Sequence, residues 1–127
     1  MHALIIEDEF MIAMAIEDVL RDCGFETFDI AFSPAAAIQA AAGHCPDLIT
    51  ADVQLRPGCG IETVRAICPQ PSTPVIFITG TGKEARQRMP QHTVLDKPFS
   101  EQALTYAVAA SLSRSRGLLA TSAALTL

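Results

Sequence analysis

Short apolar runs alternate with amphipathic stretches along the whole chain. Residues 3–7, 26–31, 47–52, 75–79 and 93–96 form five runs of four to six residues, rich in Ile, Val, Leu and Phe. With helical stretches between them, runs of this kind read as strands of a parallel sheet. The spacing predicts β-α repeats throughout, hence an α/β fold.

The intervening segments carry helical signals. In 9–23 the apolar positions Ile12, Ile16, Val19, Leu20 and Cys23 make a buried stripe, and Gly24 ends it. Phe10, Met11 and Met14 form a second apolar cluster on that helix, suited either to a partner surface or to additional core. Ser33 and Pro34 supply an N-cap and an N1 proline for an alanine-rich helix over 34–42. Pro57, Gly58 and Gly60 mark a loop before a helix at about 60–68, which Pro69, Pro71 and Pro74 end. Gly80-Thr81-Gly82 and Pro90 leave only 83–89 for a fourth helix, predicting one that is short or poorly ordered. Ser100 caps the last helix, with Glu101 in its first turn and Leu104, Val108 and Leu112 facing inward. One domain over 1–116 is expected. The apolar segment 117–127 reads as a frayed tail, or as a helical extension docking on this chain or on a second copy in a homodimer.

The polar residues that end the runs carry the chemistry. Glu7 and Asp8 follow the first strand, Asp52 the third, Thr79 closes the fourth and Lys97 follows the fifth. Ligands of open α/β sheets bind outside the carboxyl ends of the strands. Three carboxylates, a hydroxyl and an ammonium are therefore expected around one crevice, equipped to hold a divalent metal and to accept a phosphoryl group. Singly, each has a bland explanation: an acidic residue favoured near a helix start, a strand-ending threonine, a solvated lysine. Their joint placement does not.

Bulk properties narrow the classes. The 127 residues are half hydrophobic with 18% charged, as expected of one packed globule. A net charge of −5 argues against nucleic-acid binding. The absence of a signal-like start and of 18 consecutive apolar residues argues against export or a membrane span, so a cytoplasmic protein is expected. Cys23, Cys45, Cys59 and Cys68 show no C-x-x-C spacing and His2, His44 and His92 are dispersed, which disfavours zinc or redox chemistry.

Glu7-Asp8, Asp52, Thr79-Gly80 and Lys97-Pro98, in that order on those strand ends, closely resemble the CheY-like receiver domains of two-component response regulators over about residues 2–113. The resemblance implies a doubly wound, flavodoxin-like five-stranded parallel sheet in the order 2-1-3-4-5. It further implies that Asp52 takes a phosphoryl group from a sensor histidine kinase or histidine phosphotransfer protein. Glu7, Asp8, Asp52 and the backbone carbonyl of Gln54 would hold Mg²⁺ directly or through water, while Lys97 would pair with Asp52 or with a phosphoryl oxygen and Thr79 would donate its hydroxyl to the phosphoryl group. A cis Lys97–Pro98 bond is implied as well. The chain then reads as a stand-alone regulator that signals by protein contact or serves as a phosphate sink, assisting its own phosphorylation without being an enzyme.

Two departures and two alternatives accompany that resemblance. Val94 stands where many receivers carry an aromatic switch residue, and a β-branched side chain has no ring to swing. Phe77-Ile78-Thr79-Gly80 is similar to a single-domain subgroup with a Phe-x-Thr-Gly motif, which implies ordering of 80–90 on phosphorylation instead. A hydrolase of the haloacid-dehalogenase type would need an acid two residues after its nucleophile, and Gln54 cannot serve as one. A pseudo-receiver that binds partners without phosphorylation is the other alternative.

Overall fold

The computed structural model describes residues 1–67 and 73–126, with side chains described as far as Arg114. Five strands, β1 (His2–Ile6), β2 (Thr27–Ala31), β3 (Leu48–Ala51), β4 (Val75–Thr79) and β5 (Thr93–Asp96), alternate with five helices. The helices are α1 (Phe10–Asp22), α2 (Pro34–Gly43), α3 (Gly60–Ile67), α4 (Gly82–Arg88) and α5 (Glu101–Thr126). The strands pair in parallel in the order β2-β1-β3-β4-β5. This is the expected doubly wound architecture.

Period-two alternation splits the core between the two faces of the sheet. Ala3, Ile5, Leu48, Ile76 and Ile78 pack with α1 and α5, whereas Leu4, Ile6, Ile49, Val75 and Phe77 pack with α2, α3 and α4. Central β1, β3 and β4 are buried at every position, while the edges β2 and β5 are only partly covered.

Local signals hold where the chemistry is short-range. Ser33 Oγ accepts from Ala36 N at 3.2 Å and Ser100 Oγ from Ala103 N at 3.0 Å, capping α2 and α5. Gly24 ends the α1 turn at φ +101°. The α1 stripe is Ala13, Ile16, Val19 and Leu20, with Ile12 and Cys23 only partly buried against it. The second α1 cluster divides: Met14 joins the core, whereas Phe10 (58%) and Met11 (77%) stay exposed. The fourth helix is indeed short, seven residues from Gly82. The backbone continues as helix into the 117–127 segment as far as Thr126. Cys68, expected as the last residue of the third helix, and Pro69 and Pro71, expected to end it, lie outside the described residues. Among the described residues, no helix is long and apolar enough to cross a membrane.

Candidate functional site

Register brings the polar strand ends together. Ile6 pairs with Ala51 and Asp52 N donates to Ile6 O at 3.0 Å, so Glu7 and Asp52 leave adjacent strands side by side. On the other flank Thr79 pairs with Asp96, and Lys97 N donates to Thr79 O at 3.0 Å. Lys97 then reaches back across β4 toward β3 and β1. Its Nζ donates to Asp52 Oδ2 at 2.8 Å and to Glu7 Oε1 at 2.7 Å.

The loop between β3 and α3 folds tightly over this edge. Gly60 N donates to Val53 O at 2.7 Å, Leu55 N donates to Gly58 O at 3.2 Å, and Gln54 and Cys59 form an antiparallel bridge. A Cβ on Gly60 would fall on the Asp52 carbonyl, so only glycine permits this return. Gly58, at φ +115°, lies flat against Pro34. The Lys97–Pro98 peptide is cis, as the resemblance implies, and Arg56–Pro57 is cis as well.

Carboxylate oxygens of Glu7, Asp8 and Asp52 lie within 4.8 Å of one another. Glu7 is 1% exposed, and both its oxygens are engaged, Oε1 by Lys97 and Oε2 by Glu9 N at 3.1 Å. Burial pushes its carboxyl above the usual range, against the hydrogen bonds from Lys97 and Glu9. Burial alone would lower the Lys97 ammonium, but Asp52 and Glu7 outweigh it and hold lysine above its ordinary range. The lysine is thus a fixed positive charge. The donor set is hard oxygen with neither sulfur nor imidazole in it, which fits a divalent cation that prefers carboxylates and water.

A polar cleft of about 530 Å³ opens over the cluster, and Asp8, Asp52, Gln54, Gly80 and Lys97 line it. Thr79 is fully buried and its hydroxyl is tied into its own loop. Oγ1 accepts from Thr81 N at 3.1 Å and lies 3.0 Å from Thr81 Oγ1. The structure therefore gathers Glu7, Asp8, Asp52 and Lys97, puts Gln54 on the cleft wall, and leaves the Thr79 hydroxyl engaged with Thr81.

Three further residues line the cleft and escape the sequence reading: Glu9, Phe32 and Arg56. Each follows a strand end (β1, β2 and β3), which is the signal that could have found them. Phe32 stacks on Phe10 with ring centroids 6.4 Å apart, giving the crevice an exposed aromatic rim.

Comparison with known proteins agrees with this geometry. A family model described as the response regulator receiver domain matches residues 3–109. The transcriptional regulatory protein PdtaR of Mycobacterium tuberculosis is 31% identical over 123 residues, covering 94% of this chain and 60% of that protein. A protein-glutamate methylesterase/protein-glutamine glutaminase of Archaeoglobus fulgidus is 30% identical over 84 residues, 66% of this chain but 24% of its own length. The chain thus spans between about a quarter and three-fifths of these relatives. Among solved structures, the response regulator PhyR of Brucella abortus superposes with TM-score 0.87 at 27% identity, covering 95% of this chain and 51% of that one. The PhyR receiver domain of Erythrobacter litoralis gives 0.79 at 33% identity, covering 87% and 88%. Fold, strand-end chemistry and sequence agree: the chain belongs to the response regulator receiver domain family.

Proposed function

We propose that this receiver domain accepts a phosphoryl group on Asp52 from the phosphohistidine of a sensor histidine kinase or a histidine phosphotransfer protein, in a Mg²⁺-dependent reaction. The observation that carries this is the Lys97 ammonium bridging Asp52 and Glu7 at one edge of a cleft that Asp8 also lines. An Asp52 carboxylate oxygen attacks phosphorus, the P–N bond breaks, and its electron pair stays on the imidazole nitrogen. Phosphoryl transfer of this kind asks the protein for positioning and charge neutralisation.

Asp8, Asp52 and the Gln54 carbonyl, with Glu7 acting directly or through water, would hold the metal. Bound Mg²⁺ neutralises charge on the phosphoryl oxygens. Lys97, already held inward by two carboxylates, pairs with the phosphoryl group once Asp52 is esterified. The Thr79 hydroxyl accepts from Thr81 N and keeps its own proton to donate to that group, so Thr81 at the start of α4 is coupled to the phosphoryl group through Thr79. That links the site to the 80–106 face without a swinging aromatic at Val94. The signal then leaves by protein contact, or the domain drains phosphate from a kinase serving another regulator.

The test is Mg²⁺-dependent labelling from a phosphorylated histidine kinase domain. Wild type labels, and Asp52→Asn does not. Labelling of Asp52→Asn would refute Asp52 as the acceptor, and no labelling of the wild type by any donor would favour a phosphorylation-independent interaction module. The lifetime of the acyl phosphate separates the two outputs, a short one favouring the sink.

A further inference from the structure

The cleft contains one cation with nothing yet to do. Lys97 and Arg56 are its two basic lining residues, against Asp8, Glu9 and Asp52. The Lys97 ammonium is already shared between two carboxylates at 2.7 and 2.8 Å. Arg56 is exposed and, among the described residues, has neither a hydrogen bond nor an ion pair from its side chain, whereas Arg21, Arg65, Arg86 and Arg88 all pair with acids.

Its placement is fixed by the backbone. Arg56 sits at the tip of the small hairpin closed by the Gln54–Cys59 bridge and the Leu55–Gly58 hydrogen bond. Leu55 beside it is buried, and Gly58 is wedged against Pro34, so the tip is anchored on both sides. A dianionic phosphoryl group entering a crevice with three lining carboxylates is repelled until cations face it. A guanidinium suits this task, because its planar fork can engage two phosphoryl oxygens at once.

From this we infer that Arg56 is a second cationic clamp on the incoming phosphoryl group, opposite Lys97, and that it sets the affinity of the site for phosphoryl donors. The inference rests on Asp52 being the phosphoacceptor, as proposed above. Arg56 binds and orients the donor, and takes no part in bond making. In transfer from an acyl phosphate, Asp52 forms the new O–P bond while the carboxylate leaves with the electron pair of the broken P–O bond.

The experiment titrates the full chain with acetyl phosphate and Mg²⁺, following aspartyl phosphate formation for wild type, Arg56→Ala and Arg56→Lys, with thermal unfolding of each. Loss of one charge-assisted contact should raise the half-saturating acetyl phosphate concentration of Arg56→Ala about tenfold, with the maximal rate held and the melting temperature unchanged. Arg56→Lys should recover part of that affinity. Equal half-saturation in wild type and Arg56→Ala overturns the inference, as does an alanine defect that appears only with a lowered melting temperature and no rescue by lysine. A wild type that never forms aspartyl phosphate refutes phosphoacceptance itself, before any variant is compared.

Discussion

Lys97 Nζ stands 2.7 Å from Glu7 Oε1, joining residues 90 positions apart from the last strand end to the first. Glu7 is almost wholly buried, and Lys97 is its one cationic partner among the described residues. Removing one member of a buried pair leaves the other charge uncompensated, which is far costlier than replacing both. Lys97→Met should therefore lose about 3 kcal/mol of stability at pH 7 in a metal-free buffer. Adding Glu7→Gln to that variant should recover about 1–2 kcal/mol. Urea denaturation of the three proteins measures this, and a Lys97→Met curve within about 0.5 kcal/mol of wild type would disprove the coupling.

Crowded carboxylates make the site responsive to metal. Three carboxylate groups within 4.8 Å repel one another, so a divalent cation should bind the folded state selectively. At free Mg²⁺ about a hundredfold above its dissociation constant, the domain should gain about 2.7 kcal/mol. Asp8→Asn should be more stable than wild type in chelator and should gain little from Mg²⁺. Thermal unfolding with and without Mg²⁺ distinguishes these outcomes; a wild type indifferent to the ion would count against a metal site.

Gly60 is held by contact with backbone rather than by its own dihedral angles. A methyl group there meets the carbonyl of Asp52, whose peptide is held by its N–H donating to Ile6 O and cannot yield cheaply. Gly60→Ala should cost about 3 kcal/mol, the upper part of the range for overpacking. It should also displace the Asp52 carboxylate from Lys97. Denaturation and the chemical shift of the Lys97 ammonium report the two effects separately.

The fourth helix is tied down mainly from its surface. Arg86 forks onto Asp96 at 2.7 and 3.3 Å, and Arg88 reaches Glu62 on α3 at 2.6 Å. Ala85 carries its one buried side chain, and the Gly82 backbone is buried as well. Exposed ion pairs add little to global stability but bias a marginal helix. Arg86→Ala should speed amide exchange in α4 about two- to fivefold while β4 exchanges as before. Equal acceleration in both elements would mean that α4 opens only with the whole domain.

His92 gives the domain an acid-sensitive term. Burial, with Arg114 nearby, holds its imidazole below the ordinary value of 6.5, and its ring meets Phe77 edge-on at 5.9 Å. As pH falls through about 6.5, the unfolded chain takes the proton before the folded one does. The stabilisation from a neutral His92 is therefore full above that pH and is lost as acidification proceeds toward the lower folded value. Melting temperatures between pH 7.5 and 5 should fall more steeply for wild type than for His92→Gln. Parallel slopes would show that the histidine titrates alike in both states.

The sequence by itself determined the order of elements and the inventory of the site. Parallel strands end at one edge, so Glu7, Asp8, Asp52 and Lys97 could be assigned to a common crevice from their positions after apolar runs. Helix caps at Ser33 and Ser100 were equally legible, because capping is decided within three residues. Tertiary structure alone decided the pairings. That Glu7 is sealed against Lys97, that the Thr79 hydroxyl turns to Thr81, and that Gly60 must lack a Cβ all depend on chain segments meeting in space. So does the position of Arg56 on the cleft wall: following a strand end marks it as near the crevice but does not say that it lines it. Periodicity reports which face of an element is apolar, whereas the partner of a polar group is fixed by packing between elements distant in the chain.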